Sequence, residues 1–253
     1  MEKFQKINNR ILNIVTNLEI KYEDMTDKSY KLPLSDALFC ISDIRRNKIF
    51  FDSIQAAIEN KKDQKEIIVV DAGSGTGILG FFALYLASKC IFIEHNPYSI
   101  AVSKSISEKL GIDDKCEFIL ADASKINLKE KYDILISETL IASMVEDFHY
   151  IVENLIKYKN NKAIIIPHKL DIFIDELDID KNTTYEHILY YDTKNFSKYI
   201  IDIQKPETEI VLFGARIYLY GDISIKNKDC PLFLNNIKFN FKERKHPIFE
   251  FKR

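Results

Sequence analysis

The sequence predicts an α/β chain built on a doubly wound, Rossmann-like core. Four of its seven glycines fall within eight residues: Gly73, Gly75, Gly77 and Gly80. A short β-branched run, Ile67-Ile68-Val69-Val70, stands before them and reads as a buried parallel strand. A long apolar segment, Ile78 to Ser88, follows and suits a packed helix. Strand, glycine turn and helix in that order open a doubly wound domain.

The alternation continues along the chain. Ile91-Phe92-Ile93-Glu94 reads as a second strand. Asn96 then caps a helix with Pro97 at its first position, and Gly111 ends that helix. Cys116 to Leu120, Tyr132 to Ser137 and Ala163 to Ile166 read as the third, fourth and fifth strands, the last stopped by Pro167. Between the last two, Val145 to Tyr158 carries helical spacing through Phe148, Ile151, Val152, Leu155 and Ile156. Beyond Pro167 the texture becomes antiparallel β, with alternation over Leu170 to Leu177 and a β-branched, aromatic stretch over Glu209 to Tyr220. Ahead of the core, Met1 to Ile20 spaces its apolar residues as a helix does. Three regions follow: N-terminal helices over 1–60, the Rossmann-like core over 61–167, and a small β-rich region over 168–253.

Composition narrows the class. With 46% hydrophobic and 29% charged residues the chain can bury a core and stay soluble, which excludes a disordered protein. A balance of 36 basic against 38 acidic residues argues against wrapping nucleic acid by charge. Cys40, Cys90, Cys116 and Cys230 are scattered without a CxxC pair. No metal site or disulfide framework is expected, and a reducing cytosol fits. No apolar run is long enough to span a membrane, and no signal-type segment is visible, so the expected location is cytoplasmic.

The glycine turn has two readings. Gly75-Thr76-Gly77-Ile78-Leu79-Gly80 satisfies GxGxxG, and Glu94 lies nineteen residues after Gly75, as in NAD-dependent oxidoreductases. Asp71 and Gly73 redirect this. An acid at the strand end repels a pyrophosphate but suits a ligand with an ammonium group and a positive sulfonium. The turn Gly73-Ser74-Gly75-Thr76-Gly77 lets backbone approach such a ligand closely. Glu94, ending the second strand, can take both hydroxyls of a ribose. Asp122 and Ala123, after the third strand, are placed to read an adenine amino group and ring nitrogen.

Val70 to Leu79 resembles motif I of the class I S-adenosylmethionine-dependent methyltransferases. The likeness continues through Ile93-Glu94, Tyr132-Asp133-Ile134-Leu135-Ile136-Ser137-Glu138 and Ile166-Pro167. It covers roughly residues 36–178 and is similar to the protein arginine methyltransferases and a related bacterial group. This resemblance implies S-adenosyl-L-methionine as cofactor, with the helices of 1–60 covering it and residues 168–253 binding substrate. It also implies N-methylation of a guanidino or amino group, in a peptide arginine, free arginine or a guanidine-bearing metabolite. Glu138 matches the first glutamate of the family's double-E loop, which grips a guanidinium. The second falls at Glu146 by residue type or at Asp147 by spacing. Asp43-Ile44-Arg45 matches the context of the arginine that binds the methionine carboxylate, which marks Arg45. The chain departs from the family in having no Trp and in following Glu138 with Thr139-Leu140-Ile141.

The chemistry suits these residue types. Methyl transfer to nitrogen is largely a matter of placing the nucleophile. Two carboxylates can hold a guanidinium, localise its charge away from the attacking nitrogen and accept the departing proton. The expected partner is a cationic peptide or small molecule in preference to nucleic acid, with no membrane, and a homodimer is left open. Alternatives are a methyltransferase for RNA or another small molecule, an oxidoreductase, and a non-catalytic cofactor-binding interaction protein. The basic stretch Lys226 to Arg253, eight Lys/Arg against three Asp/Glu, keeps RNA among them.

Overall fold

A computed structural model describes residues 2–27, 29, 32–139, 146–176, 186–192, 200–202, 210–226, 237–240 and 248–250, with side chains outside 146–147, 170–216 and 226–253. Four helices come first: α1 (Glu2–Thr16), α2 (Tyr22–Thr26), α3 (Leu34–Ser42) and α4 (Ile44–Glu59). The core follows as β1 (Ile68–Ala72), α5 (Ile78–Ala83), β2 (Lys89–Glu94), α6 (Pro97–Leu110), β3 (Cys116–Leu120), β4 (Tyr132–Ile136), α7 (Glu146–Leu155) and β5 (Lys159–Ile166). Its five strands form one parallel sheet in the order β3-β2-β1-β4-β5. The order reverses between β1 and β4, and in such sheets ligands bind beyond the carboxyl ends of the strands at that point.

The buried faces explain the pairing. Val69, Val70, Ile91, Phe92, Ile93, Ile134, Leu135 and Ile136 are all essentially inaccessible, as strands covered on both sides require. Asp133 is one of the buried acids of these strands. Its carboxylate accepts the Ile68 amide at 3.0 Å and the Asn160 side-chain amide at 2.8 Å, which fastens the start of β1 to β4 and β5. At α6 the expected capping holds. The Asn96 side chain accepts from the Tyr98 amide at 3.0 Å, Pro97 follows, and Gly111 closes the helix at φ +70°.

The helix after the glycine turn is shorter than its apolar run predicts. It ends at Ala83, not Ser88, because the chain turns back to form β2. The Leu86 and Ala87 amides bond the Ala83 carbonyl, and the Ser88 amide already bonds Ile67. Tyr85 and Leu86, within that apolar run, stand 45% and 43% exposed on that turn.

After β5 the described strands are antiparallel: β6 (Lys169–Glu176), β7 (Glu186–Asp192), β8 (Ile200–Asp202), β9 (Ile210–Tyr220), β10 (Ile223–Lys226), β11 (Ile237–Asn240) and β12 (Ile248–Glu250). β10-β9-β6-β7 form a sheet with β11 also on β9, and β12 pairs with β8. Ile217, Leu219 and Ile225 of β9 and β10 are fully buried, and both strands pack on α4. Among the described residues no helix is long and apolar enough to cross a membrane.

Candidate active site

The site grows from the carboxyl end of β1. Asp71 and Ala72 finish that strand, and the chain then turns through Gly73, Gly75 and Gly77, at φ +69°, +53° and +83°. The amides of Gly73 and Ser74 both bond the Ile93 carbonyl, at 2.8 and 3.1 Å, so the turn is latched to β2. At Gly73 the requirement is steric as well: a Cβ would stand 2.3 Å from Thr139 Cγ2. At Gly75 a Cβ would project toward Ala37 of α3, 3.5 Å from its Cβ, into the gap between turn and helix.

That gap is a pocket of about 370 Å³, open solvent included. Of the residues expected from sequence, Asp71, Gly73, Ser74, Gly75, Thr76 and Glu138 line it. The opposite wall comes from Leu32, Ala37, Cys40 and Arg46, in and around α3 and α4. Two side chains hold this wall to the core. Thr76 Oγ1 donates to the Ala37 carbonyl at 3.3 Å, and Asn96 Nδ2 to the Leu32 carbonyl at 3.1 Å.

Arg45 is not in the pocket. It lies on the exposed face of α4, and its neighbour Arg46 takes the inner place, 3% exposed. Asp43 decides this register. As N-cap of α4 it accepts the Arg46 amide at 3.0 Å. Arg46 thus falls on the stripe of Phe50, Ile54 and Ala57, all fully buried. That stripe was readable as helical periodicity, whereas local context alone pointed one residue too early. The Arg46 guanidinium pairs through Nη2 with Glu138, through Nη1 with Asn47 Oδ1 at 2.9 Å, and lies 5.0 Å from the centre of the Phe50 ring.

Glu138 stands two residues past the end of β4. The Ser137 amide still bonds the Ile166 carbonyl at 2.9 Å, so β4 and β5 together aim Glu138 at the pocket. The backbone of Glu146 and Asp147 opens α7. Their side chains lie outside the described residues, so the choice between them stays a matter of sequence.

The buried acids differ. Burial pushes Asp71 up to about 7; the Gly80 amide, donating at 2.8 Å, opposes this, and the Glu138 and Glu94 charges add to it. Burial also acts on Glu94, but here the hydrogen bonds win. His95 and the amides of Asn96 and Gly75 all bond its carboxylate and hold it below the usual range. Glu94 therefore sits at the end of β2 ionised and against the turn, 2.8 Å from the Gly75 amide. Gly77 caps α5 beside the pocket without lining it. Asp122 and Ala123 lie further out, after β3, and also do not line it. Ala123 is buried and its carbonyl accepts from Asn154 at 3.1 Å. Burial of Asp122 is outweighed by bonds from Ser124 and Lys125, which hold its carboxyl at about 2.

These residues fit S-adenosylmethionine. The pocket floor is glycine backbone that a Cβ would fill, and the Ser74 hydroxyl is buried with no hydrogen-bond partner. A paired acid and base face it from opposite walls. Among the described residues no group of three His, Cys, Asp or Glu is placed to hold a metal ion.

Known proteins supply an independent comparison. A family model described as a methyltransferase domain matches residues 63–209, more than half of the chain. The chain is 28% identical over 165 residues to the uncharacterized protein MJ1452 of Methanocaldococcus jannaschii, covering 59% of this chain and 61% of that one. It is 30% identical over 96 residues to the ribosomal protein L11 methyltransferase of Haemophilus influenzae, covering 38% and 31%. With protein arginine N-methyltransferase 2 of Dictyostelium discoideum it shares 25% over 145 residues, covering 55% and 27%. It thus spans less than two thirds of these relatives' lengths. Its fold is similar to that in the Trypanosoma brucei PRMT1 enzyme–prozyme complex with AdoHcy. That match has a TM-score of 0.57 at 15% identity and covers 79% of this chain and 82% of that one.

Proposed function

The chain belongs to the methyltransferase-domain family, as a class I S-adenosylmethionine-dependent enzyme, and on that premise we propose that it N-methylates a guanidino or amino group. The acceptor on this reading is a cationic peptide, with arginine as the reacting residue, or a guanidine-bearing small molecule. One observation carries it: Glu138 stands at the end of β4, beside the β1 turn, in the wall of the cofactor pocket.

Residues on both walls, and Glu94 beside the glycine turn but outside the pocket lining, would hold the cofactor. Arg46 would meet its carboxylate, Glu94 its ribose, and Asp71 with the glycine turn its positively charged end. When bound, S-adenosylmethionine supplies an activated methyl group. The protein's own part is placement and charge. Glu138 would orient the acceptor cation, draw its charge from the attacking nitrogen and accept the departing proton. Glu146 or Asp147 would supply the second carboxylate. The likeness to ribosomal protein L11 methyltransferases supports a protein as acceptor.

Two experiments test this. Incubation with methyl-labelled cofactor and cell extract, followed by mass identification of the labelled species, names the acceptor; a neutral or anionic acceptor would rule out the cation clamp. Glu138→Gln keeps the shape and removes the charge. It should cut turnover at least ~100-fold while affinity for S-adenosylhomocysteine changes little, because the glutamine oxygen can still accept from Arg46. Wild-type turnover in that variant would leave only the broader methyltransferase assignment.

A further inference from the structure

On the reading that Arg46 meets the cofactor's carboxylate, we infer that Asn47 is a positioning residue that fixes Arg46 in the pocket wall and joins it to the end of α3. Asn47 is fully buried and does not line the pocket. Its Nδ2 donates to the carbonyls of Cys40 at 3.0 Å and Ile41 at 2.9 Å. Both belong to the last turn of α3, where a helix runs out of its own N–H partners. Its Oδ1 accepts from Arg46 Nη1 at 2.9 Å.

The partners leave one orientation for this amide. Two carbonyls can only accept and a guanidinium can only donate, so nitrogen faces α3 and oxygen faces Arg46. Among short side chains only asparagine offers two donors and an acceptor at once. Aspartate would set a charged oxygen against two carbonyls. Leucine would take a partner from each of the three groups in a buried place.

The consequence reaches the ligand through Arg46. With Asn47 on one nitrogen and Glu138 on another, the guanidinium is held at two points before any ligand arrives. A long side chain already fixed has less rotamer freedom to lose on binding. Asn47 also ties this fixation to α3, whose Ala37 and Cys40 face the same pocket.

A double-mutant cycle on the full chain, read by calorimetry with S-adenosylhomocysteine, decides the matter. Asn47→Ala should weaken binding up to about tenfold, the cost of ordering a long side chain that is no longer fixed before the ligand arrives. In an Arg46→Ala background the same change should cost less than twofold, because the residue it acts through is gone. Undiminished loss in that background would mark a general structural role and overturn the inference. So would unchanged affinity in Asn47→Ala, or in Arg46→Ala alone. Circular dichroism checks folding. Should Asn47→Ala fail to fold, Asn47→Ser runs through the same cycle, because a serine can still bond α3 but is too short for Arg46. A wild-type chain that takes up no S-adenosylhomocysteine would instead remove the cofactor reading beneath the inference.

Discussion

Replacing Asp71 by Asn should stabilise the ligand-free protein at pH 8 and leave it nearly unchanged near pH 4. The carboxyl is 2% exposed, and burial raises it from 3.8 to about 7. Between those values the folded chain keeps a proton that the unfolded chain has released. Stability therefore falls as pH rises, by roughly 1.4 kcal/mol per pH unit. Across the whole interval the cost reaches about 4 kcal/mol. Asparagine keeps an oxygen for the Gly80 amide and carries no charge, so it escapes that cost. Urea unfolding of both proteins at several pH values from 4.5 to 8 measures the difference directly. It should start small, climb through the interval and level off above pH 7, where the melting temperature of the variant should be roughly 10 °C higher. Glu94 and Asp122, held low in both proteins, cancel in the comparison. A stability difference that stays flat with pH would refute the claim that Asp71 ionises at a cost. The same variant should bind a cationic ligand more weakly, which places the cost of that buried charge where function needs it.

Three further outcomes are expected. Arg46→Ala should weaken S-adenosylhomocysteine binding by about 1.5–3 kcal/mol, while Arg45→Ala, on the exposed face of α4, should leave it unchanged; calorimetry on both separates the neighbours. Gly80→Ala should destabilise the fold by about 1–3 kcal/mol in urea titrations, because its Cβ would meet Phe92 Cε1 at 2.2 Å and Cys90 Sγ at 2.9 Å. Gly75→Val should abolish cofactor binding in the same calorimetric assay, since its backbone holds φ +53° and its side chain would enter the pocket.

The sheet was legible because its signals are local. β-branched runs, an Asn-Pro cap and a glycine stop sit within a few residues of the elements they define, and β3 and α6 appear where those signals put them. The run after the glycine turn misled because apolar character does not show where a chain must turn; Tyr85 and Leu86 are apolar and exposed. The strand-end residues of the site were legible for the same reason as the strands. The α3–α4 wall was not. Arg46 and Glu138 meet across 92 positions of sequence, and nothing near either residue announces the other. Asn47 carries no motif at all. Only its burial and its three partners give it meaning.

The wall that closes the pocket has a bearing on where this protein can be cut. The methyltransferase match starts at residue 63, so a fragment trimmed to it would keep the glycine turn, Glu94 and Glu138. It would discard Ala37, Cys40 and Arg46, and with them the hydrogen bonds that reach across from Thr76 and Asn96. It would also strip Phe50, Phe51 and Ile54 from the core and bare Phe82, whose ring packs edge-on to Phe51 at 5.5 Å. Such a fragment keeps the recognisable motif but loses half the container, and it gains a sticky apolar face. Boundaries drawn from homology and boundaries drawn from physics differ here by more than thirty residues, because Phe4 and Ile11 of α1, ahead of Leu32, are buried in the same core.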